Sequence, residues 1–357
     1  MASNEDARAA REAKLDELHE KLTGAVESLV SGDDWRQALA FAARFRSRSF
    51  NNTMLIWVQH EAAFEAGHVP EPFPTLVAGY RQWQGLGRQV MQGQPGYMIF
   101  APVTGRFASS NPADPNSWRR LGPREKHKVN EVVRSRMVGA RPAYVWDASQ
   151  TDGEPLPVPP APTLLEGEAP AGLWEGLAGQ IRGAGFEVLR VPHEGIISGT
   201  NGMTDYEART VAVRENMDPA AQVKTLAHEL AHVVMHDPDD EEARQHRGIR
   251  EVEAESVALM IGAAHGMDAA GYTIPYVSTW AARVDGQEPV HVVQATGERV
   301  RKTALAILDQ LDTLQVGDGT PPGLDRDTPS PRTSRTPAAE ADRPRVASVP
   351  TLAGRGL

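Results

Sequence analysis

The chain's 357 residues leave room for two domains with residues to spare, and 40% apolar with 24% charged side chains is the balance of an ordinary water-soluble fold. No apolar run approaches the ~18 residues of a membrane span, and no cysteine is available for a disulfide or a thiolate metal site. The charged opening MASNEDARAAREAKLDELHEKL lacks the apolar core of a secretion signal, so a cytoplasmic chain with no membrane partner is expected. The net charge of −10 is unevenly spread: Trp35 to Asp147 carries fifteen Lys/Arg and seven Asp/Glu, a balance of +8, which leaves −18 on the remainder. The basic part can meet a polyanion; the acidic remainder cannot easily do so.

In chain order, Leu15, Leu18, Leu22, Val26, Leu29 and Val30 recur at helical spacing and predict a helix over 5–31. Asp34 stands as the N-cap of a second helix from Trp35 to Phe45. A third follows from Phe50 to His60, capped by Asn51 or Asn52. Gln89–Met91 and Tyr97–Pro102 read as strands around a Gly-Gln-Pro-Gly turn. Lys126–Met137 is polar enough to be a linker helix or mobile loop, and Ala143–Trp146 reads as a short strand. Six prolines between 155 and 170 mark an interdomain linker. Beyond it a helix runs to about Ala184, followed by a strand at Phe186–Val191, a hairpin-like stretch through Gly199 and Gly202, and a strand at Thr210–Val213. Helices are expected at Pro219–Met235, about Arg250–His265 and Arg299–Leu311. From Val316 onward the chain is too poor in apolar residues to offset its ordering entropy, so disorder is expected.

The chemistry concentrates in Gln222–His236, which reads Gln-Val-Lys-Thr-Leu-Ala-His-Glu-Leu-Ala-His-Val-Val-Met-His. On a helix, His228 and His232 share a face one turn apart, and two imidazoles there can reach one metal about 2 Å from each ring nitrogen. Glu229, about 100° round, can touch a water on that metal without ligating it, which suits a general base. The rest of the helix is apolar, so buried polar groups need partners, and a metal explains them. A catalytic zinc needs a third protein ligand. Glu251 and Glu255 share a helix face and Glu253 points the other way; Glu251, nineteen residues beyond His232, is the expected ligand, with Glu255 holding an imidazole N–H. His236 and Asp237 are read as supporting or helix-end residues. Tyr206, His265, Tyr272 and Tyr276 are unranked candidates for stabilising an oxyanion.

Thr225-Leu226-Ala227-His228-Glu229-Leu230-Ala231-His232 together with Glu251-Val252-Glu253-Ala254-Glu255 resembles the ImmA/IrrE group of metallopeptidases, where the second helix reads Glu-x-x-Ala followed by Asn, Asp or Glu. The resemblance puts the third ligand at Glu251; Val257-Ala258 replaces the group's usual Phe-Ala. A second set of residues looks like the N-terminal domain of ArdC-type antirestriction proteins. It comprises Ser49-Phe50-Asn51-Asn52-Thr53-Met54-Leu55-Ile56, then Trp83-Gln84-Gly85-Leu86-Gly87-Arg88-Gln89-Val90 with Gly93, Gly96 and Pro102, then Val145 to Gly153. That family joins a single-stranded-DNA-binding domain to a zinc-metallopeptidase-like domain, and the two resemblances occur here in the family's order over roughly 20–285. Single strands are held by cationic grooves with aromatic rings for the bases. The candidate contacts are Arg44, Arg46, Arg48, Asn51, Asn52, Tyr80, Arg81, Trp83 and Arg88.

The expected architecture is α+β. A helix at 1–34 precedes a mixed α/β DNA-binding domain at 35–153 and a linker at 154–172; a zincin-like helical domain with a small sheet at 173–315 is followed by a disordered tail at 316–357. The expected cofactor is Zn2+, and the expected partners are single-stranded DNA and a protein or peptide substrate. The competing expectation is a non-catalytic DNA-protecting protein whose zinc is structural. A third is a peptidase whose basic module docks a protein.

Overall fold

The computed structural model describes residues 4–156, 167–236, 247–268, 272, 277–282, 284 and 286–324. The first helix, α1, is Asn4–Glu27, ending four residues earlier than expected. The cap of α2 (Gly32–Arg44) is Ser31, not Asp34. Ser31 accepts from the Asp34 N–H, and Asp34 reaches back to the Ser31 N–H at 2.7 Å, so the pair forms a capping box. Likewise Ser49 caps α3 (Phe50–Glu65) in place of either asparagine, accepting from the Asn52 N–H.

The N-terminal part is built on an antiparallel sheet in the order β1-β5-β3-β4, with β1 Val77–Gly79, β3 Tyr97–Ser109, β4 Arg119–Arg120 and β5 Val132–Asp147. The short helix α4 (Tyr80–Gly85) follows β1. The expected hairpin of the two early strands does not form: β2 (Arg88–Val90) pairs with β6 (Thr151–Gly153), while β3 pairs with β5. The polar stretch 126–137 is neither helix nor mobile loop along its length, because β5 begins at Val132 and runs sixteen residues. Val138 is the extra residue where the β3–β5 register slips between Val103 and Thr104.

Helix α3 closes one edge of this sheet with side-chain amides. Asn52 donates to the Phe100 carbonyl at 2.9 Å and accepts from its N–H at 3.0 Å. Two turns on, Gln59 repeats the pair on Met98, both at 2.9 Å. Backbone groups that would otherwise be an open strand edge are thereby satisfied.

In the C-terminal part, β7 (Glu187–Val191), β9 (Thr210–Arg214) and β8 (Gly202–Asp205) form a sheet in the order β7-β9-β8, parallel between β7 and β9 and antiparallel between β8 and β9. Helices α5 (Leu173–Gly183), α6 (Pro219–Met235), α7 (Arg247–Ala264), α8 (Val277–Ala281) and α9 (Pro289–Leu308) complete it. Helix α9 starts ten residues before the expected position because Pro289 opens it at a site where a missing N–H costs nothing.

One core runs through both parts up to Leu324. Trp35 of α2 is fully buried and donates from Nε1 to Ser256 Oγ of α7 at 3.0 Å. Glu298 of α9 accepts from the first N–H of α3, at Phe50, at 2.9 Å. Gly297 is needed for that approach, since a Cβ there would sit 2.6 Å from the Phe50 ring. Part of the stretch expected to be disordered from 316 is ordered: Val316–Leu324 is described, with Gly319 accepting from the Val77 N–H of β1 at 2.8 Å. Residues 325–357, and 157–166 within the expected linker, lie outside the described residues. No helix among the described residues is long and apolar enough to cross a membrane.

Candidate metal centre and nucleic-acid face

Asp218 caps α6 and Pro219 opens it, so the helix register is fixed nearly three turns before His228. Leu226, Ala227, Leu230 and Ala231 bury the helix against its neighbours, and α7 packs alongside. On the facing sides of these two helices, His228, His232 and Glu251 bring one ligand atom each into a single cluster, the one such group among the described residues. His228 Nε2 lies 3.0 Å from His232 Nε2, and Glu251 Oε2 lies 3.5 and 3.7 Å from the two nitrogens. The circle through three atoms so spaced has a radius of about 2 Å, which is the length of a zinc–nitrogen or zinc–oxygen bond.

The outer ring nitrogens explain why the inner ones converge. His228 Nδ1 is 3.1 Å from Glu255 Oε2, whose other oxygen takes Lys224 Nζ at 3.0 Å. A carboxylate only accepts, so the His228 proton sits on Nδ1 in the neutral ring. His232 Nδ1 is 2.9 Å from His236 Nδ1, and His236 Nε2 is 3.2 Å from Glu253 Oε2. Burial holds the His236 imidazolium below its ordinary range, which keeps that ring neutral, with its one proton on the nitrogen facing Glu253. Burial pushes the Glu253 carboxyl up, and the His236 hydrogen bond and the Arg299 charge more than reverse it. His232 must therefore donate from Nδ1. Both Nε2 atoms then point at the same spot, where their lone pairs repel unless a proton or a metal ion lies between them.

Glu229 is buried beside this cluster, and its Oε2 accepts from Thr204 Oγ1 of β8 at 2.6 Å. Gly202, also on β8, lets Glu229 lie close, because a Cβ at 202 would meet Glu229 Oε1 at 2.7 Å. A cleft of about 660 Å³ opens on the cluster, lined by β8, α6 and α7 and including Thr204, Tyr206, His228, Glu229, His232 and Glu251. Tyr206 lines it and donates to the His232 carbonyl at 2.9 Å. His265 and Tyr272 point elsewhere: His265 is buried between the Ile261 carbonyl and Thr313, and the Tyr272 hydroxyl donates to the Ala258 carbonyl. Tyr276 and Asp237 lie outside the described residues. Sequence reasoning missed Thr204 and Gly202, which carry no motif, and placed Glu253 away from the ligands without seeing that His236 connects them.

The candidate DNA contacts divide. Arg44, Tyr80 and Arg81 are exposed. Arg46 is buried, its guanidinium donating to the carbonyls of Ala43, Val316 and Gly317 and to Gln315 Oε1. Arg48 donates to the Val77 carbonyl at 2.8 Å. Asn51 has its Oδ1 buried, and Asn52 is committed to β3. Trp83 is fully buried and donates to the Trp146 carbonyl at 3.0 Å. Arg88 closes the β2–β6 pair, donating from Nε to Thr151 Oγ1 and from Nη2 to the Thr151 carbonyl, both at 2.8 Å.

Residues 10–146 match the family model of the N-terminal domain of anti-restriction factor ArdC, and residues 194–276 match that of the IrrE N-terminal-like domain, a peptidase family. Two solved structures of the antirestriction ArdC protein from R388 plasmid are similar at 18% identity. The metal-free form has a TM-score of 0.42 over 74% of this chain and 84% of that one. The Mn(II)-bound form has 0.40 over 74% and 88%. No curated protein matches the chain. The chain therefore joins an ArdC-like N-terminal domain to an IrrE-like, metallopeptidase-type domain carrying a His–His–Glu cluster able to hold a metal ion.

Proposed function

We propose that this is a zinc-dependent metallopeptidase whose N-terminal module binds single-stranded DNA, acting in antirestriction or in regulated cleavage of a protein partner. The observation that carries the reading is the convergence of two imidazole lone pairs and one carboxylate oxygen on a point about 2 Å from each, beside a buried carboxylate that is not one of the three. Two nitrogens and one oxygen suit zinc, and three protein ligands leave a coordination position open to the cleft.

Zinc held by His228, His232 and Glu251 would supply a Lewis acid and lower the pKa of a water beside it. The chain's residues do the rest. Glu229, fixed by Thr204, takes the proton of the attacking water and returns it to the leaving amine. Glu255 and His236 hold the two histidines in the tautomer that leaves Nε2 free. The Tyr206 hydroxyl stands at the cleft wall, placed to turn from the His232 carbonyl toward a developing oxyanion.

The test is the protection of unmodified DNA entering restriction-proficient cells. Glu229→Gln should retain zinc and DNA binding and lose protection. Full protection by that variant would show that catalysis is dispensable and that a DNA-coating role with structural zinc is the function.

A further inference from the structure

The outer half of the β3–β5 ribbon is exposed along β5. From Val103 and Gly139 to Ser109 and Val132, the two strands extend about 20 Å at 3.4 Å per residue. On β5 every residue from Val132 to Arg141 except Val133 is exposed. Ala108 of β3 and the nearby Leu121 are buried, but an exposed strand such as β5 is expected to be polar at random, and this one is sorted by charge. Thr104 to Met137 holds eight Lys/Arg against three Asp/Glu. Two of those acids, Glu125 and Glu131, are both taken by Arg119.

The register places Phe107 opposite Arg134 on one side and Arg120 on the other, with Gly105 opposite Arg136. Directly opposed residues share a face, so Arg120, Arg134 and Arg136 are neighbours. None of the three has a carboxylate partner among the described residues. Arg134 and Arg136 lie 5.0 and 4.8 Å from the Trp118 ring, and Arg136 lies 5.7 Å from that of Phe107. Three like charges on one bare face repel one another, and aromatic rings alone offset little of that.

We infer that this face of the ribbon, built from Arg120, Arg134, Arg136 and Trp118, is where the N-terminal module takes single-stranded DNA: the guanidinium groups hold phosphates and the indole carries a base. The assignment rests on the single-stranded-DNA reading above and moves it from the helical arginines of 44–48 to the ribbon. The half-exposed Trp118 suits a single strand, since a stacking platform is useless to paired bases.

The experiment uses the full chain with a labelled thirty-nucleotide oligo-dT and a duplex of the same length, with anisotropy followed from 50 to 200 mM salt. Arg134→Ala with Arg136→Ala should weaken oligo-dT binding at least tenfold. It should also lower the slope of log affinity against log salt by about 1.4, at about 0.7 per lost phosphate contact. Trp118→Ala should weaken binding about tenfold with the slope kept. Removing the same charge from α1, with Arg8→Ala and Arg11→Ala, should leave both quantities near wild type; an equal loss there would reduce the effect to net charge and overturn the site. Wild-type binding that the ribbon variants leave intact would overturn the site while the DNA reading stands. Tighter binding of the duplex would overturn the occupant. Absence of binding by the wild-type chain at 50 mM salt would remove the underlying reading. Melting curves within a few degrees of wild type are expected for the arginine variants, because both side chains are exposed and their ring contacts are worth little at the surface.

Discussion

His232 and His236 face each other through their Nδ1 atoms at 2.9 Å, one helical turn apart. The proton between them belongs to His232, because His236 spends its own on Glu253, and Arg299 donates to the far side of that carboxylate at 2.7 Å. One ring of the His–His–Glu cluster is thus oriented by a second imidazole, whose tautomer is set by an acid seventeen residues on in α7.

His236→Ala should accordingly lower zinc affinity about 10- to 100-fold with all three ligands intact, the usual cost of losing a ligand's hydrogen-bond partner. Glu251→Gln should lower it further, since a ligand itself is weakened. Glu253→Gln should have a small effect, because the Gln amide oxygen can still accept from His236. Titration against a competing chelator gives all three values. Wild-type affinity in His236→Ala would mean that the ring only fills space.

The metal-free chain should respond to pH in a definite direction. Burial pushes the His228 imidazolium down, but the Glu251 and Glu255 hydrogen bonds and the Glu229 charge push it up to about 9. A histidine whose folded pKa is raised contributes stability that is complete below its unfolded value of 6.5 and is lost as pH climbs through 9. The Tm of the chelated protein should fall across that window, and Glu251→Gln should flatten the fall. Zinc uptake at pH 7 should expel about one proton per ion. That number is read from the dependence of the binding enthalpy on the buffer's heat of ionisation.

Gly202→Ala should separate catalysis from metal binding. Its methyl group would fall 2.6 Å from Thr225 Cγ2 and 2.7 Å from Glu229 Oε1, so Glu229 must move while His228, His232 and Glu251 need not. Overpacking of this kind costs about 1–3 kcal/mol. Zinc content by metal analysis should stay near wild type, and protection from restriction should drop. Loss of zinc instead would show that the strand positions the ligands as well.

Trp35→Ala should destabilise the whole chain by about 3–5 kcal/mol, the cost of emptying a large aromatic site. A urea melt followed by far-UV dichroism and by metal release should show one shared transition for wild type and variant. For the same reason a fragment ending at Gly153 should not fold, since it leaves Trp35 and Phe50 without α7 and α9.

The histidine helix was legible because its chemistry is local: a spacing of four residues and a cap at Asp218 determine which side chains share a face. The family resemblances were legible for the same reason. The fate of the arginines at 46 and 48 was not, because their acceptors lie at Val77 and at 315–317, and no local pattern announces a carbonyl. The ribbon was hidden by composition. Val132-Val133-Arg134-Ser135-Arg136-Met137-Val138 is strand-like in its β-branched residues, but the preceding Lys126–Asn130 drew the whole stretch toward a loop. The two serine caps compete in sequence with neighbouring Asp and Asn, which satisfy the same preference two or three positions later.

The crossing of 315–320 back over the first domain has a consequence for synthesis. Arg46 and β1 leave the ribosome long before their acceptors: the Val316 carbonyl that receives Arg46 is 270 residues downstream, and the Gly319 carbonyl follows it. Contacts so distant along the chain close late. Until then a nascent or prematurely terminated chain would hold a guanidinium in an apolar setting with most of its acceptors missing, a state it can relieve only by staying open. The N-terminal module is thus expected to close only once the C-terminal half has been made, so a truncated product should stay open rather than fold as a free-standing first half.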